Sequence, residues 1–399
     1  MGRVAKLIMV TGANNNKYYD MEENGDTIQV KYGRVGGHQT SATYSPYQWD
    51  RLLNSKIRKG YKDVTSLRTV IESADFTNIT DDKIEAIVTR LQAFANKSVS
   101  TNYMVASEAV TQKQVDEAQA LIDALMKVGS KKTVIEKKFN DNLIELYQVI
   151  PRRMARVGDH LLGTDTGETD PLKIISQEQA ALDVMKGQVH VSIAKQNNTQ
   201  GDSKTILEAM GLGIEVVTPK DVELIKKNLG QVAPQYKSAY KVKNLKSQDK
   251  YDKWIKKAKN KKSMMFWHGS RNENWWSILD SGLVLRPTNA VITGKMFGYG
   301  LYFADSARKS FNYTSHSGSY WARGTSTTGF MCLYDVHLGD WLHIKHHEGW
   351  HSQLTEKRLK NRGSYDSLFA EGGADLRNNE YIVYNEAQCT PRYLVELGK

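Results

Sequence analysis

The chain opens on an alternation of apolar and polar residues. Thr27-Ile28-Gln29-Val30-Lys31-Tyr32 puts Ile28, Val30 and Tyr32 on one side with a period of two, which predicts a half-buried strand. Lys17-Tyr18-Tyr19-Asp20-Met21 reads as the strand before it, and Asn24-Gly25-Asp26 as the hairpin turn between them. Leu7 to Asn14 imitates a strand and phosphate-binding turn, but Asn14-Asn15-Asn16-Lys17 supplies no second glycine and no helix follows. A single amphipathic helix is expected from about Pro46, carrying Trp49, Leu52, Leu53 and Ile57.

The period then changes. Ser98-Val99-Ser100-Thr101-Asn102 is polar and uncharged and reads as a linker. Beyond it Val115, Ala118, Leu121, Ile122 and Leu125 recur on one helical face, with Thr111 and Gln114 spaced as a capping box and Gly129 as the stop. A second helix carries Leu143, Ile144, Leu146 and Tyr147 and ends before Pro151; a third is expected to start at Ser176 with Gln179 as its capping partner. Gly201 to Thr218 reads as loops around one short helix, and Asp221 to Leu229 as another amphipathic helix. No residues of this region have catalytic spacing, so its apolar stripes are read as the core of a bundle. Strands return at Tyr236 to Leu245, Met264 to Trp267, Gly329 to Leu338 and Tyr381 to Tyr384, which predicts a mostly antiparallel, split sheet. The expected organisation is therefore an α+β multidomain protein: a small β-sheet domain over 1–97, a linker over 98–106, a helical domain over 107–230 and a sheet domain over 231–399.

Composition narrows the picture in two places. Of 399 residues only Cys332 and Cys389 are cysteines, which excludes a disulfide framework and any multi-cysteine zinc finger and suits a reducing compartment. No apolar run reaches the roughly 20 residues of a membrane span. The net charge of +11 lies mostly between Lys237 and Lys262. That stretch would suit a polyanion such as DNA, but the preferred reading is a solvated edge strand and connector kept soluble by lysine. Arg51, Lys56, Arg58, Lys59 and Lys62 form a second basic group, equally suited to phosphate contacts and to an exposed helix face.

Candidate chemistry concentrates between Phe266 and Tyr313. Glycines there sit beside histidine, serine and tyrosine, as a pocket needs if backbone is to approach a flat ligand while aromatic faces stack on it. The words are Phe266-Trp267-His268-Gly269-Ser270-Arg271, Met296-Phe297-Gly298-Tyr299-Gly300-Leu301-Tyr302-Phe303-Ala304-Asp305 and Lys309-Ser310-Phe311-Asn312-Tyr313, joined farther on by Asn379-Glu380-Tyr381-Ile382-Val383-Tyr384. Gly298-Tyr299-Gly300 is not a dinucleotide fingerprint, since position 303 is Phe and no long helix starts there.

These words resemble the His-Tyr-Glu signature of poly(ADP-ribose) polymerases, with His268, Tyr302 and Glu380 on the three signature positions. The resemblance implies a split-sheet ADP-ribosyltransferase domain that uses NAD+ as substrate and needs no metal. It further implies that Gly269 and Ser310 hold the nicotinamide carboxamide, that Tyr302 and Tyr313 sandwich the ring, and that His268, Ser270 and Arg286 serve the adenosine half. Lys309 and Met296 match positions on the nicotinamide and acceptor sides. Residues 1–97 resemble a WGR domain, a small sheet with one helix found in DNA-break-dependent members, although the name-giving tryptophan is Tyr32 here. Tyr32 and Arg34, with Arg51, Lys56, Arg58 and Lys59, are then the expected DNA contacts. Residues 107–230 resemble the helical regulatory domain that restricts NAD+ entry until DNA binds.

The implied protein is a DNA-break-dependent transferase that modifies proteins, itself included, and extends ADP-ribose chains. It would be a monomer off DNA with room for an accessory factor, away from membranes, nuclear in a eukaryote and otherwise cytoplasmic. Transfer of single units to protein or DNA ends, and a silent break-binding scaffold, stay open as alternatives. His347-Glu348-Gly349-Trp350-His351 also satisfies a zinc-peptidase pattern, but Gly349 lies inside the helix that chemistry requires, so an incidental loop match is expected.

Overall fold

The computed structural model describes residues 2–398 apart from 36, 66–74, 132, 165–166, 199–203, 286–295, 320–321 and 325. The chain divides into two compact units, residues 1–73 with 96–196, and 74–95 with 197–399.

The first unit is built on a five-stranded antiparallel sheet. Strands β1 (Val4–Thr11), β2 (Asn15–Asn24), β3 (Thr27–Arg34) and β4 (Gln39–Tyr44) follow as a meander, and β5 (Lys62–Asp63) adds to the outer edge of β1. Gly25 turns the β2–β3 hairpin at a φ of 58°, a left-handed conformation that glycine adopts without a Cβ penalty. Helix α1 (Trp49–Arg58) lays Trp49 on the sheet, where it meets Leu7, Tyr19, Met21, Ile28 and Val30. Each such buried side chain contributes about 1.5–3 kcal/mol of apolar transfer.

Helix α2 (Asp82–Asn102) takes in Ser98 to Asn102, so the segment expected as a linker is the last turn of a 21-residue helix. Its polar side chains bond to backbone in that turn, Thr101 Oγ1 and Asn102 Nδ2 donating to the carbonyls of Lys97 and Ser98 at 2.8 and 2.9 Å. Such local bonds let a serine- and threonine-rich run stay helical.

Helices α3 (Gln112–Gly129) and α4 (Glu136–Val149) match the expected periodicity, and the Thr111–Gln114 capping box forms. Helix α5 (Pro171–Gln196) starts five residues before the expected Ser176. Pro171 occupies its first position and Asp170 Oδ1 accepts the Leu172 N–H at 2.9 Å, so the cap lies there and Ser176 is internal. Gln179, expected as a cap partner, is buried and exchanges amide bonds with Gln119 on α3 at 2.8 and 2.9 Å. The asparagine run after β1 joins sheet to helices: Asn16 Nδ2 donates to the Met154 carbonyl at 2.7 Å and Asn14 Oδ1 accepts the Val157 N–H at 3.0 Å.

The second unit carries two sheets. Helix α6 (Ile206–Met210), strand β6 (Leu212–Val216) and helix α7 (Pro219–Leu229) lead into β7 (Tyr236–Asn244), helix α8 (Leu245–Lys257), β8 (Ser263–Ser270) and helix α9 (Trp275–Ser281). After the short β9 (Leu301–Phe303) come helix α10 (Ala307–Phe311), a two-residue ribbon β10 (Gly318–Ser319) and β11 (Ala322–Arg323), and the long β12 (Thr328–His337). Then follow β13 (Trp341–Ile344), helix α11 (Glu356–Asn361), β14 (Ser367–Ala370), β15 (Glu380–Val383) and β16 (Cys389–Gly398).

The sheets have orders β6-β7-β16-β12-β8 and β13-β14-β15-β9, antiparallel except for the β13–β14 pair. This is the expected split, mostly antiparallel architecture, within an α+β protein. Two details correct the sequence reading. Strand β7 is interior, flanked by β6 and β16, and the lysine-rich stretch after it is α8, with Tyr251 inward and lysines outward, so it is neither edge strand nor connector. Among the described residues no helix is long and apolar enough to cross a membrane.

Candidate active site

The two sheets meet where Trp267 on β8 pairs by backbone with Ala304, just past β9, at 2.9 and 3.1 Å. Trp267 is buried among Ala307, Phe311, Met331 and Val395, and its indole donates to the Asn228 carbonyl at 3.1 Å. This anchor fixes the next residue, His268. Its Nδ1 lies 3.3 Å from the Tyr302 carbonyl, an acceptor that suits the tautomer with its proton on Nδ1. Phe303 and Tyr334 flank the imidazole at ring-centroid distances of 6.0 and 6.2 Å.

Gly269 and Ser310 are neighbours, as the resemblance implies. A Cβ on Gly269 would overlap the Ser310 carbonyl oxygen, so only glycine lets β8 and α10 approach this closely. The Ser310 hydroxyl is buried and donates to the Trp267 carbonyl at 3.1 Å. Ser270 accepts a bond from Asn274 Nδ2 at 3.0 Å.

Tyr302 is held by both ends. Its strand pairs with β15 in register Ile382↔Tyr302, and its hydroxyl accepts the Phe297 N–H and donates to the Gly298 carbonyl, both at 3.1 Å. Gly298 has a φ of 74° and packs on the backbone of Leu354, and Tyr384 closes the same turn by donating to the Phe297 carbonyl at 2.7 Å.

Glu380 stands at the start of β15 and forms an ion pair with Lys309 on α10. Its charge reaches both tyrosines: burial first, and then Glu380, raises the hydroxyl pKa of Tyr302 and of Tyr313. Tyr313 is 54% exposed, an aromatic face open to a ligand. His268, Gly269, Tyr302, Lys309, Ser310, Tyr313 and Glu380 therefore gather at one place. Met296 adjoins it through the Phe297 turn, its carbonyl accepting from His347 Nε2 at 2.8 Å. Arg286 lies outside the described residues.

A model of the poly(ADP-ribose) polymerase catalytic domain matches residues 220–399. A putative poly [ADP-ribose] polymerase-like protein, 100L, of invertebrate iridescent virus 6 is 32% identical over 166 residues, covering 40% of this chain and 84% of that protein. The chain belongs to the poly(ADP-ribose) polymerase family. Human poly [ADP-ribose] polymerase 2 is 33% identical over 158 residues, covering 34% of this chain and 26% of that protein. Rice poly [ADP-ribose] polymerase 2-B is 22% identical over 446 aligned positions, covering 97% of this chain and 70% of that protein. As a member of the family the chain is an NAD+ ADP-ribosyltransferase, with NAD+ as its substrate.

Asp305 and Asn379 stand in the sequence only as neighbours of the motif words, and no local pattern pairs them. Asn379 Nδ2 donates to Asp305 Oδ2 at 2.7 Å and its Oδ1 accepts the Gly372 N–H at 2.8 Å, while the Tyr381 hydroxyl lies 3.4 Å from the same carboxylate. The residues on either side of Glu380 are thus tied down, which sets where its carboxylate stands. Their adjacency to Glu380 was the available signal, but the partner 74 positions away was not.

The zinc-peptidase pattern folds as a 3-10 turn at Gly349–Gln353. His347 is engaged with Met296, and His351 Nδ1 accepts the Glu348 N–H at 2.8 Å. Among the described residues no cluster of histidine, cysteine, aspartate and glutamate is arranged to hold a metal.

The candidate DNA residues lie in the first unit. Arg51, Arg58 and Lys59 are exposed along α1 and its end. Arg34 donates to the Asn14 carbonyl at 2.8 Å, and Tyr32 packs 5.7 Å from Tyr19, ring to ring. Lys56 departs from its group. Its ammonium lies 3.9 Å from the Tyr19 ring centroid, 5.4 Å from Tyr61 and 6.0 Å from Tyr32, and burial, then Lys59 and Lys17, lowers its pKa.

Proposed function

We propose that this transferase responds to broken DNA, attaches ADP-ribose to proteins including itself, and extends the chain. Glycosidic cleavage of NAD+ releases a neutral nicotinamide while positive charge grows on the ribose, an oxocarbenium-like transition state. Glu380 is the group to oppose that charge and to bind the ribose hydroxyls, and in elongation to polarise the incoming hydroxyl. Tyr302 and Tyr313 would stack on the ring, Gly269 and Ser310 would take the carboxamide, and His268 with Ser270 would serve the adenosine half. Lys309 balances the charge of Glu380, and Met296 borders the acceptor side.

The observation that carries the reading is the convergence of Glu380 with both tyrosines and Lys309, groups drawn from β15, β9, α10 and its following loop. DNA dependence is proposed from the likeness of residues 1–97 to a WGR domain and of 107–230 to a regulatory helical domain, with 231–399 as the catalytic domain. It is supported by the exposed Arg51, Arg58 and Lys59. Tyr32, Arg34 and Lys56 complete the proposed DNA surface, Lys56 by holding the tyrosines rather than by touching phosphate. A nuclear location follows for a eukaryotic source.

The test is incorporation of labelled NAD+ by the purified chain with and without short broken duplexes, beside Glu380→Gln. Long, DNA-stimulated ladders that shrink to short adducts in the variant are expected. Short adducts from both proteins would replace elongation with single-unit transfer, and labelling indifferent to DNA would remove the proposed trigger.

A further inference from the structure

A cavity of about 410 Å³ opens beside α11, lined by Trp350, Gln353, Leu354, Arg358, Asn361 and Arg362. None of these residues is assigned to the NAD+ site. We propose that this cavity is a second ligand site, one that binds a pyrophosphate group such as that of a free ADP-ribose nucleotide.

The cations are built in rather than incidental. The Arg362 guanidinium lies 3.4 Å from the centroid of the Trp350 ring, and Trp350 is itself fixed by an indole bond to Glu348 Oε2 at 2.9 Å. Arg358 Nη1 donates to both the backbone carbonyl and the side-chain Oε1 of Gln353, at 3.0 and 2.6 Å. Two planar forks are thereby oriented before any ligand arrives, which lowers the ordering cost of binding.

Neither fork is neutralised. Among the described residues no carboxylate pairs with Arg358 or Arg362. The acids nearest in sequence have other partners: Glu348 is bonded to the indole of the lining residue Trp350, and Glu356 to Lys360 at 2.7 Å and Asn385 at 3.0 Å. Two unpaired guanidinium groups at one cavity suit an oxyanion bound bidentately, and the amides of Gln353 and Asn361 can add neutral donors. A nucleobase is not expected on Trp350, because Arg362 and the His351 ring, 3.9 Å away by centroids, already occupy it. The volume lies within the range of small-molecule pockets of roughly 300–1,000 Å³, more than one phosphate requires and too little for a duplex.

The site touches the catalytic region through one residue. Leu354 is buried beneath the cavity, its carbonyl accepts the Tyr299 N–H at 2.9 Å, and Gly298 packs on its backbone. That turn also holds the Tyr302 hydroxyl.

Calorimetric titration of the 399-residue chain with inorganic pyrophosphate tests this without reference to turnover, so its outcome is separate from that of the labelling experiment. Saturable binding is expected, weakened about tenfold or more in the Arg358→Gln/Arg362→Gln double variant, with cooperative thermal melting as the check that the variant is folded. Arg358→Lys/Arg362→Lys, which keeps the charge but loses the forks, should fall between. Competition by ADP-ribose would assign the site to nucleotides, and its failure to compete would assign it to free pyrophosphate. No heat from pyrophosphate, or equal affinity in the glutamine variant, overturns the proposal.

Discussion

Tyr302→Phe separates what the ring does from what the hydroxyl does. The ring is expected to face the nicotinamide, and phenylalanine keeps it. The hydroxyl, in contrast, is spent on protein backbone: it accepts the Phe297 N–H and donates to the Gly298 carbonyl, both at 3.1 Å. Removing it leaves a part-buried N–H and C=O without this partner, at a cost of about 1–3 kcal/mol. In a unit of this size each kcal/mol lowers the midpoint by roughly 2–4 °C, so a fall on the order of 2–12 °C is expected. Calorimetric melting reads the midpoint, and nicotinamide release at varied NAD+ reads the site. The expected pattern is a lower midpoint with a raised KM, as the Phe297–Gly300 turn loosens beneath the ring. A midpoint within about 1 °C of the native protein would refute the claim that this hydroxyl holds the turn.

Gly298→Ala combines a φ of 74° with a Cβ placed against the Leu354 backbone, so loss of more than about 1 kcal/mol is expected in urea unfolding. Asn379→Ala removes the bonds to Asp305 and Gly372 that flank Glu380; turnover should fall while the KM for NAD+ changes less, and equal kcat would show that these bonds do not position the glutamate. Burial, then Asp305, raises the Tyr381 hydroxyl pKa to about 12 from an ordinary 10.0. The folded state therefore holds this proton more tightly than the unfolded chain, and its stabilising contribution, complete below pH 10, is lost as pH rises from 10 to 12. Melting across that window should show a falling midpoint, with a shallower slope in Tyr381→Phe.

Local physics was legible from the sequence alone. Period-two alternation gave the β2–β3 hairpin, and helical periodicity with Thr111 and Gln114 gave α3 and its cap; the candidates His268, Tyr302 and Glu380 came instead from the resemblance of separated motif words to a family signature. The hairpin and cap signals survive without tertiary structure because they depend on neighbours a few residues apart. What only the fold decided were choices among locally equivalent options. Ser98 to Asn102 could be linker or helix, and became helix because backbone bonds absorbed its polar side chains. The lysines after Asn244 could mark an edge strand or a helix, and Tyr251 packing inward made them α8. Lys56 could serve a phosphate, and three tyrosines from distant strands and turns enclosed it instead. The Asp305–Asn379 bond, the Lys309–Glu380 ion pair and the arginine cavity likewise join residues whose proximity is a property of strand order and helix packing, which no local pattern encodes.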